Sequence, residues 1–274
     1  MAEKPTVVTM IISDTHIGGS TAIAPPEYTI HRRRNEEQTV HANQMQQWLW
    51  SCWTECTEYA RHLIGIKGRS RKNRFVVCHL GDVVDGIHHD NTQLVNEMTD
   101  QMDIAKSILA PLVDMADASY LTYGTNVHTG QMQYEQEIAN ALGMEHDFQF
   151  SLDVDGCVID IAHHGRAGRR PWTSAAAGIV AEVGIDYSQL GLKLPRYVFR
   201  GHNHLVDDSG AKYPDTQYIA MPSWQLKTSH GQRVAVNQSR SDIGGVFLIG
   251  DRLDLSRLRY TAAPDNRRIR KVDL

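Results

Sequence analysis

Five apolar runs in this chain end in the same way, on Asp, Asn or His. Residues 6–13 stop at Asp14-Thr15-His16 and residues 75–80 at Gly81-Asp82. Residues 120–123 stop at Gly124-Thr125-Asn126-Val127-His128, residues 157–162 at His163-His164-Gly165, and residues 197–200 at Gly201-His202-Asn203-His204. Short runs rich in β-branched residues and bounded by glycine read as buried strands. One Asp or His at a strand end is an ordinary turn cap, but five such sets in one chain need a common explanation. In open α/β sheets, functional groups gather at the carboxyl ends of the strands. In Asp14-Thr15-His16 a carboxylate and an imidazole two residues apart on nearly extended chain point the same way and can share one cation.

Between these runs the pattern changes to helical. Thr39 is placed to cap a helix reaching about residue 64, whose apolar positions Leu49, Cys52, Trp53, Cys56, Tyr59, Ala60 and Leu63 follow the helical period. Trp48 and Trp50 widen that stripe; a core face is the default reading, and a subunit interface, making the chain a homo-oligomer, is the other. Further helices are expected over 98–115, bent near Pro111, over 131–142 with Gly143 as the stop, and over 173–183. Residues 17–38 read as loop, and 148–154 with 157–162 as a hairpin turning at Asp155-Gly156. Strands are expected over 217–221, 232–237, 245–249 and 252–260. Helices alternate with strands early and hairpins dominate late, so the expected fold is α/β, one domain over residues 1–274 built on two packed mixed β-sheets.

Bulk properties narrow the chemistry. A hydrophobic content of 41% and a charged content of 22% are those of an ordinary globular chain, and a net charge of -4 gives no global pull toward nucleic acid or anionic membrane. The 14 histidines cluster at the ends of apolar runs, a placement that suits transition-metal chemistry. Cys52, Cys56, Cys78 and Cys157 have no disulfide or zinc-knuckle spacing and read as free thiols in a reducing interior. No apolar stretch is long enough for a bilayer, and Met-Ala-Glu-Lys-Pro is no secretory leader, so a cytoplasmic protein without a membrane partner is expected.

The order Asp-x-His, Gly-Asp-x-x-Asp, Gly-x-Asn-x-His, His-Gly, Gly-His-x-His resembles the calcineurin-like metallophosphoesterase superfamily, and covers residues 7–205. Gly-Thr-x-x-His and His-His-Gly further resemble phage and prophage members. The resemblance implies a four-layer αββα sandwich carrying two divalent transition-metal ions; beyond it, the residues themselves read as a strand-rich part over 206–262 and a basic tail over 263–274. By the same resemblance Asp14, His16 and His204 hold one ion, and Asn126, His202 and one of His163 and His164 hold the other. Asp82 bridges them. Manganese is expected first, with iron, zinc or nickel as alternatives; a mixed His/Asp/Asn set suits these better than calcium. A metal-bridging hydroxide would attack phosphorus without a covalent enzyme intermediate, and no Ser or Cys nucleophile motif is present.

Two points stay open at this level. Adjacent strand residues face opposite sides, so one of His163 and His164 should enter the site, and His164, directly before Gly165, is favoured. In the third motif, either Asn126 is the ligand and His128 the general acid, or Thr125 takes the Asn place and His128 reaches the metal. Asp85 reads as a loop cap, and His88 and His89 as surface residues. Arg166, Arg169 and Arg170 are the candidates for gripping substrate phosphate, with Trp172 as a stacking surface. The expected substrate is a phosphoester, a phosphodiester first. A nuclease or phosphomonoesterase on the same scaffold is the alternative, and an inert binding module the remote one.

Overall fold

The computed structural model describes residues 5–32, 36–66, 71–87, 93–164, 175–228 and 241–259. In chain order the elements are β1 (Val7–Ile12), β2 (Glu27–Arg32), β3 (Glu36–His41), α1 (Gln44–Ile64), β4 (Arg74–His79), α2 (Met98–Val113) and β5 (Ala118–Thr122). There follow α3 (Asn126–Thr129), α4 (Gln133–Leu142), β6 (Glu145–Asp147), β7 (Gln149–Val154), β8 (Cys157–Ala162), α5 (Ala175–Gln189) and β9 (Tyr197–Arg200). The last are β10 (Asp207–Asp208), β11 (Gln217–Ala220), β12 (Ile243–Gly244), β13 (Val246–Ile249), β14 (Arg252–Asp254) and β15 (Leu258–Arg259).

Two mixed sheets carry the fold. One runs β14-β13-β1-β4-β5-β6 and the other β10-β11-β9-β8-β7. Side chains alternate across a strand, and β1 shows how the sequence uses both faces. Val8, Met10 and Ile12 point into a core shared with Leu49, Trp53 and Ala60 of α1, Ile104 and Leu109 of α2 and Ile138 of α4. Ile11 points the other way, into a core with Cys78, Leu80 and Val246 on its own sheet and Ile159, Ile161, Phe199 and Ile219 on the second. A third core seats Ile179, Val183 and Tyr187 of α5 against Val198 and Tyr218. The layers are therefore helix, sheet, sheet, helix, as expected. Strands buried on both faces are apolar over most of their length, with Thr9 in β1 and Asp160 in β8 as buried polar exceptions, which is why these runs stand out in the sequence.

The local departures have physical causes. Thr39 does not cap α1: it pairs with Thr29 in the β2–β3 hairpin, within a segment expected to be loop. Asn43 caps the helix instead, its side chain accepting from Gln46 N while the Gln46 side chain accepts from Asn43 N. The hairpin is held by Tyr28 and Ile30, which alternate inward onto the helical core. Helix α2 continues past Pro111 to Val113, and α5 runs on to Gln189. The expected strand over 252–260 is two short ones, β14 and β15. The strand expected over 232–237 and the basic tail lie outside the described residues. All four cysteines are free, and Cys56, Cys78 and Cys157 are buried. Among the described residues no helix is long and apolar enough to cross a membrane.

Strands β1, β4 and β5 are parallel neighbours in the first sheet, as are β8 and β9 in the second. Their carboxyl ends therefore emerge together.

Candidate metal centre

Beyond the last ladder rungs of β1 and β4 the two chains stay paired. Asp14 N donates to Gly81 O (3.0 Å), His16 N to Asp82 O (3.0 Å) and Ile17 N to Val83 O (2.9 Å). Trp224 N reaches across to Asp14 O at 2.9 Å, and its ring meets Trp53 of α1 edge-on. The site loops are thus extensions of the sheet, clamped from behind.

Their backbone is left-handed where the donors sit. Asp14 (φ 54°), His16 (φ 43°), Asp82 (φ 52°), His202 (φ 72°) and His204 (φ 55°) are five of the eight non-glycine residues at positive φ among those described. Each such residue costs about 1–3 kcal/mol and persists only where its surroundings enforce it; such strain clusters at functional sites. Asp14 and His16 do converge, but through these turns and not on the extended chain expected.

Four overlapping groups of three donors form, each with its ligand atoms within 4.8 Å of one another: Asp14/His16/His204, His163/His164/His202, Asp14/Asp82/His163 and His16/Asp82/His128. In the first, His204 Nε2 lies 3.2 Å from Asp14 Oδ1 and 3.1 Å from His16 Nε2, with His16 Nε2 3.7 Å from Asp14 Oδ1. Donors bound to one ion at ~2.1 Å stand roughly 3–3.5 Å apart, so this spacing fits a shared cation. On the other side His163 Nδ1 donates to Leu80 O, which turns Nε2 toward Asp82 Oδ2 at 3.1 Å. A ring proton given to a backbone carbonyl is the usual way a metal-binding histidine is oriented. His16 Nδ1 is buried without a hydrogen-bond partner and faces Asp85 Oδ1 at 3.7 Å.

The electrostatics agree. Burial would raise the carboxyl of Asp14, but His204, His163 and His16 outweigh it and hold Asp14 well below the carboxylate range. Burial is likewise overcome at Asp82 by His163, His16 and His128. Burial disfavours a charged His163, yet the facing Asp82 and Asp14 push it up to about 10. Among the described residues, the ion pairs of Asp14 and Asp82 are all with histidine. Two buried carboxylates ringed by histidine nitrogens make a mixed oxygen and nitrogen donor set that fits divalent ions.

The expected residues are placed as follows. Asp14, His16, Asp82, His163, His164, His202 and His204 come together. Both histidines of the 163/164 pair enter because β8 ends at Ala162, so the alternation of a strand no longer applies; His163 is buried and His164 exposed. Asn126 is exposed as the first residue of α3. Thr125 faces the centre instead: its N–H donates to Asp82 Oδ1 (2.6 Å), and its hydroxyl lies 3.2 Å from Asp82 Oδ2, 3.3 Å from His163 Nε2 and 3.2 Å from His202 Nδ1. His128 gives its Nδ1 proton to Asp85 O (2.6 Å), and its ring meets that of His16 edge-on.

Arg166, Arg169, Arg170, Trp172, His88 and His89 lie outside the described residues. Asp85 is more than a loop cap: it is buried beside His16 and accepts from Gln225 Nε2 at 3.1 Å. Ser13, whose hydroxyl donates to Asp14 Oδ2, and Glu135, which accepts from Val83 N and Gly124 N, also belong to the centre. Gln225 and Glu135 have no sequence signal, because neither adjoins a motif.

No protein-family model matches the sequence, and no curated protein matches it. Similar solved structures include an archaeal phosphodiesterase (12% identity, 92% of this chain and 97% of that one, TM-score 0.40). Another is the Zn-complexed Vps29 of Entamoeba histolytica (10% identity, 89% and 87%, TM-score 0.39). A third is a conserved uncharacterized protein of Streptococcus pneumoniae TIGR4, a predicted phosphoesterase (11% identity, 94% and 97%, TM-score 0.36). The layering of helix, sheet, sheet and helix is the one expected from the sequence.

Proposed function

We propose that this chain is a dinuclear metal-dependent phosphoester hydrolase, acting as one catalytic domain with phosphodiesters as its preferred substrates. One observation carries the reading: two donor groups, Asp14/His16/His204 and His163/His164/His202, flank Asp82 at the joined ends of two sheets. In this reading Asp14, His16 and His204 hold one ion, His163 and His202 hold the other with His164 and Thr125 beside them, and Asp82 serves both. The imidazole-rich set suits manganese, iron, zinc or nickel, and manganese is the first choice. Ions of this kind, when bound, supply Lewis-acid polarisation of a phosphoryl oxygen and a water of lowered pKa.

The chain's own residues supply the rest. With Nδ1 committed to Asp85 O, His128 would pass a proton to a leaving oxygen from Nε2. Ser13 and the backbone N–H of His202 (3.0 Å to Oδ2) orient the Asp14 carboxylate. Arg166, Arg169 and Arg170, which follow His163-His164-Gly165 directly in sequence, remain the candidates for holding a phosphate.

The test is a substrate panel run with Mn²⁺: bis- and mono-p-nitrophenyl phosphate, cyclic nucleotides and single-stranded DNA. The diester is expected to be hydrolysed faster than the monoester. Preference for the monoester would overturn the phosphodiesterase assignment, and strand cleavage would make the chain a nuclease.

A further inference from the structure

We propose that Glu135 is a positioning residue, whose carboxylate locks the Asp82 loop to the Thr125 loop and so sets the donor spacing of the centre. This rests on the metal reading above. Glu135 is fully buried on α4 and belongs to none of the four donor groups. Its Oε2 accepts from Gly124 N at 2.8 Å and its Oε1 from Val83 N at 3.3 Å. Thr125, the residue after Gly124, donates its own N–H to Asp82 Oδ1 at 2.6 Å, and Asp82 precedes Val83. The result is a closed ring: Glu135 to Gly124, along the chain to Thr125, across to Asp82, along the chain to Val83, and back to Glu135.

Three further features point the same way. Three consecutive left-handed residues, Gly130 (φ 55°), Gln131 (φ 57°) and Met132 (φ 76°), turn the chain immediately before α4 and deliver Glu135 beneath the loops. Burying a carboxyl here is costly: desolvation first, then the Asp82 charge, push it up to about 7, against the pull of the two N–H groups. An apolar side chain of similar size would avoid that cost but leave both N–H groups without a partner. The ring is therefore a device for holding two backbone segments in register, as the outer partners of metal ligands do.

The experiment is calorimetric titration of Mn²⁺ into wild type, Glu135→Gln, Glu135→Asp and, as a control for lost stability alone, Leu112→Ala in the α2 core. All are measured well below their melting temperatures. The amide of Gln can accept one N–H but turns its NH₂ toward the other, and Asp is too short to span both. Glu135→Gln is expected to weaken Mn²⁺ binding by ~10–100-fold, with a smaller loss for Glu135→Asp, while Leu112→Ala melts earlier at unchanged affinity. Wild-type affinity in both Glu135 variants would overturn this inference and leave the metal reading standing. Wild type that binds no Mn²⁺ would overturn both.

Discussion

Asp82→Asn is expected to abolish hydrolysis while leaving the chain folded. Asn has the same shape, and its Oδ1 still accepts from Thr125 N, the shortest hydrogen bond that Asp82 receives. What disappears is the buried negative charge that lies 3.1 Å from His163 Nε2 and 3.9 Å from His16 Nε2, between the two donor groups. If that charge is what allows two cations to sit together, its loss removes several kcal/mol of transition-state stabilisation, a fall in kcat/KM of about 10³-fold or more. The rate of bis-p-nitrophenyl phosphate hydrolysis with Mn²⁺ and a thermal melt on the same preparation decide the matter. Wild-type turnover in a folded Asp82→Asn protein would contradict the role given to the bridge.

Gly81→Ala is expected to destabilise the fold strongly through a single added methyl at the centre. Gly81 holds φ 81°, where an L side chain is strained, and its Cβ would stand 2.7 Å from both Cα and N of Gly124. Neither atom is the end of a flexible side chain, so the two loops must part. Left-handed strain of about 1–2 kcal/mol and a backbone clash of at least similar size add to roughly 3 kcal/mol. Separation of the loops also breaks the Glu135 ring, so lowered metal affinity should accompany the lowered melting temperature in calorimetry. Gly124→Ala meets the same obstacle from the other side, since its Cβ falls on the Asp82 carboxylate. Unchanged stability in Gly81→Ala would mean that the close approach of these loops is not what holds the site.

The framework was legible in the sequence because doubly buried strands are apolar over most of their length and their ends bear clusters of polar groups. Asp14, Asp82, His202 and His204 could be named from that alone. What could not be read was conformation. Asp14 and His16 meet through left-handed turns, which Asp and His enter more readily than most residues but which the extended apolar run before them does not announce. The pairing of His163 with His164 depends on β8 stopping at Ala162, a boundary set by the sheet and not by the residues themselves. Thr125 and Asn126 differ by a single step of the chain, and only the start of α3 decides that Thr125 faces Asp82. The β2–β3 hairpin was hidden because its inward residues, Tyr28 and Ile30, are few and its outer face is charged. Glu135 and Gln225 reach the centre from distant parts of the chain, so no motif spacing could announce them.

The most direct test of a dinuclear metal hydrolase is metal content and activity measured on one sample. Bound divalent metal per chain and bis-p-nitrophenyl phosphate hydrolysis are followed as the protein is stripped with chelator and reloaded with Mn²⁺. The expected result is two ions per chain at saturation, activity lost with the ions and regained with them. Hydrolysis that persists in the stripped protein, or a reloaded protein that holds no metal, would contradict it.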